Sequence, residues 1–556
     1  MKKYLFCLLA LLILLHSSSA FSQGRSVASV HPEKIKGGIS AEEHAARQSR
    51  IFNMLSEDTP AEVDNESVVI ELSDAEKEEL AKPRSTSGVP LKVGIVKSLQ
   101  SPVVVSGLIG KHPGGGRLSA TTSGGFVWAR SIKSPEAQAI RLHFSEFSLP
   151  QGAQLYLHDG QGGVSGPYEG QGPNGDGDFW TGTLFSDRVV VLLRFENKPK
   201  LADRRKVSFT LSDVGHIGAG FPKPVFQATW GTGQCGNASC VIDASCGNLG
   251  PATAAADAIA KIEWIQGPYI YTCTGGLLAD TDSSSQRKLF LTANHCLSKN
   301  SKNLESFFKF TTDSCNGTCP VNPSPNTRGA TVLATGRTGD FTLLELGSGN
   351  LPNTAVFLGW NTIPLAFSNG ADLYRVSNPN FGPQVYSHHQ VDVSAVTCSQ
   401  WNRGPRIYSN DIEGATDGGS SGSPVVNANG EVVGQLSGCC GYNCGNVCDT
   451  ASNSTVDGAF AYYYADVAAI LDPNSGPSGC TLDAECADGI FCNGAETCVN
   501  GSCQNGSSPC LNGQICIEAS SQCTDCSLLP SGASCTDNSE CCSNNCKGRR
   551  GRKTCR

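Results

Sequence analysis

Short apolar runs separated by glycine-rich turns dominate the first half of the chain. Between residues 91 and 215, strands are predicted at Gly125–Ala129, Ala139–Phe144 and Val189–Leu193, and turns such as Asp159–Gly163 separate them. Apolar or alternating runs of this length, bounded by glycine, are typical of β-strands. The pattern predicts a cysteine-free β-sandwich at residues 91–215.

A second strand-rich block covers residues 232–475. Its predicted strands include Lys288–Thr292, Phe341–Leu346 and Glu431–Leu436, and no helical periodicity lies between them. Strands at this density favour a pair of barrels or a sandwich. The block closes on one predicted helix, Tyr464–Leu471, which Pro473 follows.

The N-terminal 90 residues divide into two parts. Residues 1–20 carry two lysines, an apolar run and a Ser-Ser-Ala end, the layout of a secretory signal peptide. A membrane anchor is the alternative, but the run is short for a bilayer. We therefore expect a secreted, extracellular protein that is not integral to a membrane. Residues 21–90 are polar and predict a flexible leader, in which Ser73–Glu76 forms a capping box for a helix through Ala81.

The 27 cysteines support export and mark the domain boundaries. None lies between Cys7 and Cys235; twelve then follow up to Cys448, and fourteen lie between Cys480 and Cys555. Even sets in separate blocks predict two disulfide frameworks formed in an oxidising compartment. After a linker at 474–479, we expect a cysteine-rich repeat at 480–524 and a knottin-like module with a basic end at 526–556. Metal binding is the rival interpretation of these cysteines, but we expect no metal or other cofactor.

The stretch with the strongest chemical signal is Gly418–Val425, with the sequence GGSSGSPV. A glycine-rich loop of this kind can present the Ser421 hydroxyl at a cleft, and the amides of Gly419 and Ser421 can bind an oxyanion. The alternative is a surface turn before a strand. A nucleophilic serine would also need a base and an acid that orients the base.

The same block supplies candidates for both groups. His295 follows an apolar strand and precedes Cys296, for which Cys273 is the natural disulfide partner. Asp340 begins another apolar strand, where pairing with an imidazole would satisfy a buried carboxylate. Alone, each residue has a structural explanation; together, His295, Asp340 and Ser421 predict an acyl-transfer site. The remaining histidines, His388 and His389, are expected in a solvated polar loop.

These motifs resemble a known enzyme family. LTANHC, GDFTLLEL and GGSSGSPV resemble the three signatures of chymotrypsin-like serine endopeptidases, and GQLSG and SCVIDASC are similar to the bacterial lysyl endopeptidase branch. The resemblance implies a mainly β protein with a chymotrypsin-like double β-barrel at 232–475, preceded by a β-sandwich pro-domain and followed by small disulfide-rich modules. It also implies the disulfides Cys246–Cys315, Cys273–Cys296, and Cys240 with Cys439 or Cys440.

The resemblance suggests a basic-residue specificity. Trypsin has its specificity acid a few residues before the nucleophile, and this chain has Ala415 at that position. The specificity acid of the lysyl branch would correspond to Asp457. A carboxylate at the base of the pocket would favour Lys or Arg. Ser437 and Gly438 would pair with the substrate backbone as an added strand. Because the branch has a histidine where this chain has Ser437, the choice between lysine and arginine stays open.

The region before the barrels resembles a protease pro-region, through FVWARSIKSPEAQAIRLHF and DFWTGTLF. A folding assistant or inhibitor is expected, and a permanent accessory domain is the main alternative. In trypsin an aspartate directly before the nucleophile binds the newly freed amino terminus. Ser420 has that position here and carries no charge, so we expect that no such ion pair controls activity. Cleavage near residues 206–234 would instead release the pro-region from the cleft.

The sequence thus predicts a monomeric secreted serine endopeptidase that cleaves proteins and peptides after Lys or Arg. The formal net charge of -8 argues against a nucleic-acid partner. The alternative is a secreted adhesion protein on a protease-fold scaffold, whose cysteine-rich tail binds an anionic surface or polysaccharide.

Overall fold

The computed structural model describes residues 25–31, 35–81, 88–218, 235, 237–282, 284–319, 326–399 and 401–473, and short pieces between 483 and 555. The predicted signal peptide lies outside these residues. The chain is mainly β, with 42% strand and 16% helix. It divides into two units, residues 26–471 and a second unit that contains the C-terminal region.

Among the described residues, the N-terminal half of the first unit contains eleven strands and three α-helices. The strands are β1 Ser26–Val27, β2 Val68–Val69, β3 Leu91–Ser106, β4 Arg117–Ala120, β5 Phe126–Lys133, β6 Ala139–Ser148, β7 Ala153–His158, β8 Val164–Tyr168, β9 Phe179–Trp180, β10 Arg188–Phe195 and β11 Ser208–Ile217. The helices are α1 Ala41–Asp58, α2 Asp74–Ala81 and α3 Leu201–Lys206.

Residues 91–217, which we call the N-terminal sandwich, have the predicted two-sheet architecture. One sheet has the order β5-β10-β7-β8 with β4 beside β5 and is extended by β2 of the preceding segment, and the other contains β3-β11-β6-β9. Apolar residues from both sheets form one core, in which the Trp128 ring of β5 meets the Phe209 ring of β11 edge to face. The alternating strands of the sequence therefore bury one face each against the opposite sheet.

The leader that precedes the sandwich is more ordered than the sequence suggests. The predicted capping box is present, since Ser73 N donates to Glu76 Oε2 at 2.8 Å and Glu76 N to Ser73 Oγ at 3.4 Å. Helix α1 buries Leu55 against the sandwich, and β1 pairs with Trp360–Asn361 in the C-terminal half of the unit. For the described residues 35–81 the expectation of a flexible leader is wrong, because apolar residues such as Ile35 and Leu55 pack into folded domains.

In the C-terminal half of the first unit, the residues that the structure describes form fourteen strands and two α-helices. The strands are β12 Ile242–Asp243, β13 Ile259–Gln266, β14 Tyr269–Leu277, β15 Leu289–Ala293, β16 Ser301–Phe308, β17 Asn326–Gly336, β18 Phe341–Gly349, β19 Trp360–Asn361, β20 Asp372–Ser377, β21 Val385–Val391, β22 Arg406–Glu413, β23 Pro424–Val426, β24 Val432–Gly441 and β25 Asn453–Ala459. The helices are α4 Thr253–Ala258 and α5 Phe460–Leu471, so the closing helix begins four residues before the predicted start.

Twelve of these strands form two closed six-stranded barrels, the double barrel predicted from the resemblance. The first barrel runs β13-β16-β17-β18-β15-β14 and closes through β13–β14 pairing. The second runs β24-β23-β20-β21-β22-β25 and closes through β24–β25 pairing. Closure leaves few free strand edges.

The sandwich and the first barrel share one sheet. Strand β3 pairs antiparallel with β14, with Ile95 opposite Tyr269 and Leu91 opposite Thr272. The resulting ten-stranded sheet contains the first barrel and one layer of the sandwich. The first half of β14 therefore pairs with the sandwich, and its second half lies within the barrel.

Six disulfides join the twelve cysteines of the barrel region. Two of the predicted pairs are present, Cys246–Cys315 and Cys273–Cys296. The pairing predicted for Cys240 is wrong, because Cys240 bonds to Cys448. The other bonds are Cys235–Cys319, Cys398–Cys440 and Cys439–Cys444.

The described pieces of the C-terminal region are three antiparallel hairpins. Their strands are β26 Thr497–Val499, β27 Ser502–Gln504, β28 Gln514–Ile517, β29 Gln522–Asp525, β30 Cys546–Arg549 and β31 Arg552–Cys555. Cys510 and Cys523 form a disulfide. Most residues of the predicted knottin-like module lie outside the described part of the chain. Among the helices that are described, none combines the length and apolar character needed to cross a bilayer.

Two buried histidines should make the N-terminal sandwich sensitive to acid. Burial lowers the pKa of His158 and of His216 to about 4, below the ordinary 6.5. Between these values only the unfolded state binds the proton. We expect the free energy of unfolding to fall by about 1.4 kcal/mol per pH unit for each histidine as the pH drops from about 6.5 to about 4. Amide exchange in β7 and β11, corrected for intrinsic rates, measures this loss; an unchanged slope in a His158→Gln, His216→Gln double variant would contradict it.

Candidate active site

Ser421 lies in a tight loop between the two barrels. Gly419 and Gly422 have φ values of 98° and 81°, which favour glycine. A Cβ at Gly422 would lie 2.2 Å from Thr292 Oγ1, so the loop needs glycine there to approach the first barrel. Thr274 of β14 holds the loop through two hydrogen bonds, from its N to Ser421 O at 2.8 Å and from Oγ1 to Gly419 O at 2.8 Å.

The carbonyls of this loop are anchored while two amides stay available. Neither the Gly419 N–H nor the Ser421 N–H donates a hydrogen bond to any residue that the structure describes. The Ser420 N–H between them is different, because it donates to Asp417 O at 2.9 Å. The arrangement is compatible with the oxyanion site predicted for Gly419 and Ser421.

His295 and Asp340 meet as a two-point pair. His295 Nδ1 lies 2.9 Å from Asp340 Oδ2, and the His295 backbone N–H donates to Asp340 Oδ1 at 3.0 Å. Both side chains are 8% exposed. Gln435 Nε2 donates to Asp340 O at 2.9 Å, and Asp340 has a φ of 51°, a left-handed conformation that aspartate tolerates. The carboxylate therefore fixes both the position and the tautomer of the ring.

The loops of His295 and Ser421 are neighbours. Cys296 Sγ lies 3.6 Å from Ser421 O, and its disulfide to Cys273 fastens the His295 loop to β14. Among the described contacts, Ser421 Oγ and His295 Nε2 do not share a hydrogen bond. In enzymes without substrate such bonds are often long and tighten only in the complex.

A cavity opens beside Ser421 on the second barrel. Its wall includes Leu436 and Gly438 of β24, and three carboxylates, Asp411, Asp417 and Asp449. Ser437 does not line this cavity; it falls at a β-bulge between Leu436 and Gly438 and is fully buried. Of the two predicted backbone contacts, only Gly438 reaches the cavity wall.

Asp457 does not belong to this cavity wall. It is fully buried, and its Oδ1 accepts a hydrogen bond from Arg375 Nη2 at 2.6 Å. Arg375 Nη1 also contacts Ser423 O at 3.3 Å. The Asp457 charge is thus paired beneath the Ser421 loop, and we assign Asp457 and Arg375 to the support of that loop instead of to a pocket base.

Asp411 is the cavity acid that the sequence did not indicate. Its Oδ1 lies 2.7 Å from His389 Nδ1 and accepts a hydrogen bond from Thr455 Oγ1 at 2.7 Å. Burial alone would raise the pKa of Asp411, but the His389 ring and these hydrogen bonds outweigh burial and lower it. His389 is fully buried in β21, so the expectation that it lies in a solvated loop is wrong. The signal for this in the sequence is that Ser387 and His389 lie two positions apart, so in a strand they share one face, which is buried here.

The double barrel has the chymotrypsin-like fold, and a family model of a peptidase domain matches this part of the chain. Residues 235–457 match the family model described as "Lysyl endopeptidase, C-terminal domain". The resemblance predicted from the motifs is therefore confirmed for the barrels, and the match does not extend to the N-terminal sandwich or the C-terminal region.

Solved proteases also resemble this chain at low similarity. The active form of Rv3671c protease from M. tuberculosis is 17% identical over 42% of this chain and 90% of its own, with a TM-score of 0.27. The MamO protease domain from Magnetospirillum magneticum is 16% identical over 37% and 94%, with a TM-score of 0.25. The HtrA-type protease AlgW is 15% identical over 40% and 66%, with a TM-score of 0.28. Scores this low add nothing to the fold described above.

Proposed function

We propose that the protein is a secreted serine endopeptidase that cleaves proteins and peptides after Lys or Arg. Ser421 attacks the carbonyl carbon of the substrate, and His295 accepts the serine proton and returns it to the leaving amine. Asp340 orients the imidazole, and the Gly419 and Ser421 amides stabilise the oxyanion. Water then hydrolyses the acyl-enzyme with His295 as base again.

The observation that carries this proposal is the two-point contact between His295 and Asp340 next to the Ser421 loop. A buried carboxylate that binds both the backbone and the ring of one histidine favours the tautomer with the proton on Nδ1. Nε2 is then left as the base. The same disulfide that fastens the histidine loop also contacts the serine loop, which favours a joint role.

The acids around the cavity support a preference for basic side chains. Asp411 is held in one orientation by His389 and Thr455, and its Oδ2 accepts no hydrogen bond among the described residues. A fixed carboxylate of this kind attracts an ammonium or guanidinium group more strongly than a solvated one would. We assign the specificity to Asp411 and not to Asp457, whose charge Arg375 already pairs.

Two further properties belong to this proposal. The many disulfides favour an oxidising, extracellular compartment. Val89, from the segment before β3, lines the cavity beside Ser421, which supports a zymogen in which this short segment, and not the whole sandwich, has to leave the cleft. For the tail, binding to an anionic surface stays a prediction, in which the strand pair β30–β31 with Lys547, Arg549 and Arg552 would take part.

A digest of a denatured protein, read by mass spectrometry, tests the specificity. We expect cleavage after Lys and Arg in the parent enzyme. In Asp411→Asn, kcat/KM for Lys and Arg substrates should fall by about 10- to 100-fold, as expected for loss of one charge-assisted hydrogen bond. Cleavage after uncharged residues would refute the basic preference.

Asp372→Asn provides the matched control. Asp372 Oδ1 also pairs with a histidine of β21, His388 Nε2 at 3.0 Å, but it does not line the cavity. Its replacement should leave the Lys and Arg values unchanged. An equal loss in both variants would remove the specificity role from Asp411.

A further inference from the structure

We propose that the N-terminal sandwich stays bound to the barrels as a permanent subunit after the chain is cut between residues 218 and 235. The surface that binds it lies on the first barrel, and its partner is the chain's own residues 26–217. The proposal concerns binding alone and does not depend on the proposed function. It replaces the release expected from the sequence.

The first attachment is the strand ladder between β3 and β14. Ile270 of β14 is fully buried, and its side chain packs against two glycines of the sandwich, Gly94 and Gly215. A Cβ at Gly94 would lie 3.1 Å from Ile270 Cδ1, and one at Gly215 only 2.8 Å away. Ile270 belongs to an apolar cluster to which the sandwich contributes Leu91, Val93, Ala139 and Ile217 and the barrels contribute Phe381. Backbone pairing and apolar burial therefore act at the same place.

The second attachment places hydrogen-bond donors of the sandwich against two buried carboxylates of the first barrel. Glu263 and Glu305 are at most 1% exposed. The Thr183 hydroxyl donates to Glu263, and the Thr183 N–H donates to Glu305 Oε2 at 2.9 Å. Arg141 Nη1 approaches Glu263 Oε1 to 4.0 Å, and Arg141 Nη2 donates to Asn303 O at 3.0 Å. The sandwich thus supplies hydrogen-bond donors at the positions where buried acids need them.

Lys261 of the first barrel is a buried cation that contacts aromatic rings from both the sandwich and the barrels. Its side chain is fully buried, and Nζ lies 3.4 Å from the centroid of Phe381 and 4.9 Å from that of Phe185. Phe185 belongs to the sandwich, and Phe381 to the barrels. Burial lowers the pKa of Lys261 to about 8. Rings from both sides of the interface therefore enclose this cation.

Arg328 provides a third contact at the rim of the interface. From β17 of the first barrel, its Nη1 donates to Tyr168 Oη at 2.9 Å and its Nη2 to Ser165 Oγ at 3.3 Å. Both acceptors belong to β8 of the sandwich. A planar guanidinium that bridges two hydroxyls fixes the orientation of the partner.

The leader adds an attachment in the C-terminal half of the unit. Strand β1 pairs with β19, and Val30 N donates to Phe357 O at 2.8 Å. Ile35 is buried in the core of the barrels. Because the leader belongs to the same fragment as the sandwich, release would require both attachments to open together. Two linked contacts hold far more strongly than either one alone.

The test uses the full chain with Ser421→Ala, to prevent self-cleavage, and a recognition sequence for a site-specific protease placed between residues 219 and 234. After complete cutting, size-exclusion chromatography at micromolar concentration reports whether the fragments separate. We expect one species that contains both fragments, which come apart only in denaturant. Separate elution of the folded fragments would overturn the proposal.

A pair of arginine variants tests the interface itself. In the cut protein, Arg328→Ala should raise the dissociation rate constant at least about tenfold, because Tyr168 and Ser165 lose their partner. Arg287→Ala is the control: Arg287 pairs with Glu345 within the first barrel, at 2.8 Å. Tyr168→Phe, which removes only the hydroxyl, should raise the rate in the same direction if Arg328→Ala does not fold. Equal rates for these variants and the control would overturn the assignment of this surface.

Discussion

Ser421→Ala should lower kcat by about 10⁶-fold, leaving a residual rate from the oxyanion site and substrate binding. The methyl group of alanine cannot form an acyl-enzyme. The loop itself should keep its conformation, since its anchors are the Gly419 and Ser421 carbonyls bonded by Thr274. Steady-state hydrolysis of a Lys peptide measures the loss, and a serine-directed phosphonate should no longer label the protein.

Ser420→Ala is the matched control for this variant. Ser420 is the neighbouring serine, but its Oγ faces inward and accepts a hydrogen bond from Ser377 Oγ at 2.9 Å. This variant should still be labelled by the phosphonate and should still turn over. If Ser421→Ala kept the parent rate, the assignment of the nucleophile would fall.

Asp340→Asn should lower kcat by about 10⁴-fold with a smaller effect on KM. The asparagine oxygen can still accept from the His295 backbone N–H, which would keep the loop in place. Its NH₂ group would then face Nδ1 and favour the tautomer in which Nε2 carries the proton. A base with the wrong tautomer cannot accept the serine proton, so the loss should appear in kcat.

Asp466→Asn controls for the change of charge. Asp466 is an exposed acid on α5, and its replacement removes the same charge without touching His295. Its kcat should match that of the parent. A kcat for Asp340→Asn within about tenfold of the parent would show that the carboxylate does not orient the base.

The sequence indicated the contact between His295 and Asp340 better than it indicated the acids of the cavity. Ser421 and Asp340 each precede a strand whose apolar residues are evident in the sequence. The disulfide beside His295 follows from the position of Cys296. Each of these motifs is a short stretch of sequence, and in the structure each lies in a loop that contacts its neighbour.

The pocket acids could not be assigned in this way. Asp411 and Asp457 lie on the paired strands β22 and β25, and the sequence does not show which of the two side chains faces the cavity. It also does not show that the buried Arg375 pairs with Asp457. A bulge at Ser437 shifts the facing residues by one position. The partner of Cys240 could not be assigned either, because Cys439 and Cys440 bond to Cys444 and Cys398 and leave Cys448 for Cys240.

The ladder between β3 and β14 has a practical consequence for anyone who wishes to produce the double barrel alone. Removal of residues 1–218 would uncover one side of Tyr269–Thr272, a stretch that includes two tyrosines and the buried Ile270. An unpaired strand edge of this composition is a template for pairing with other molecules. The shortened protein should therefore accumulate as insoluble aggregates, and supplying the missing half as a separate polypeptide during refolding should restore soluble material.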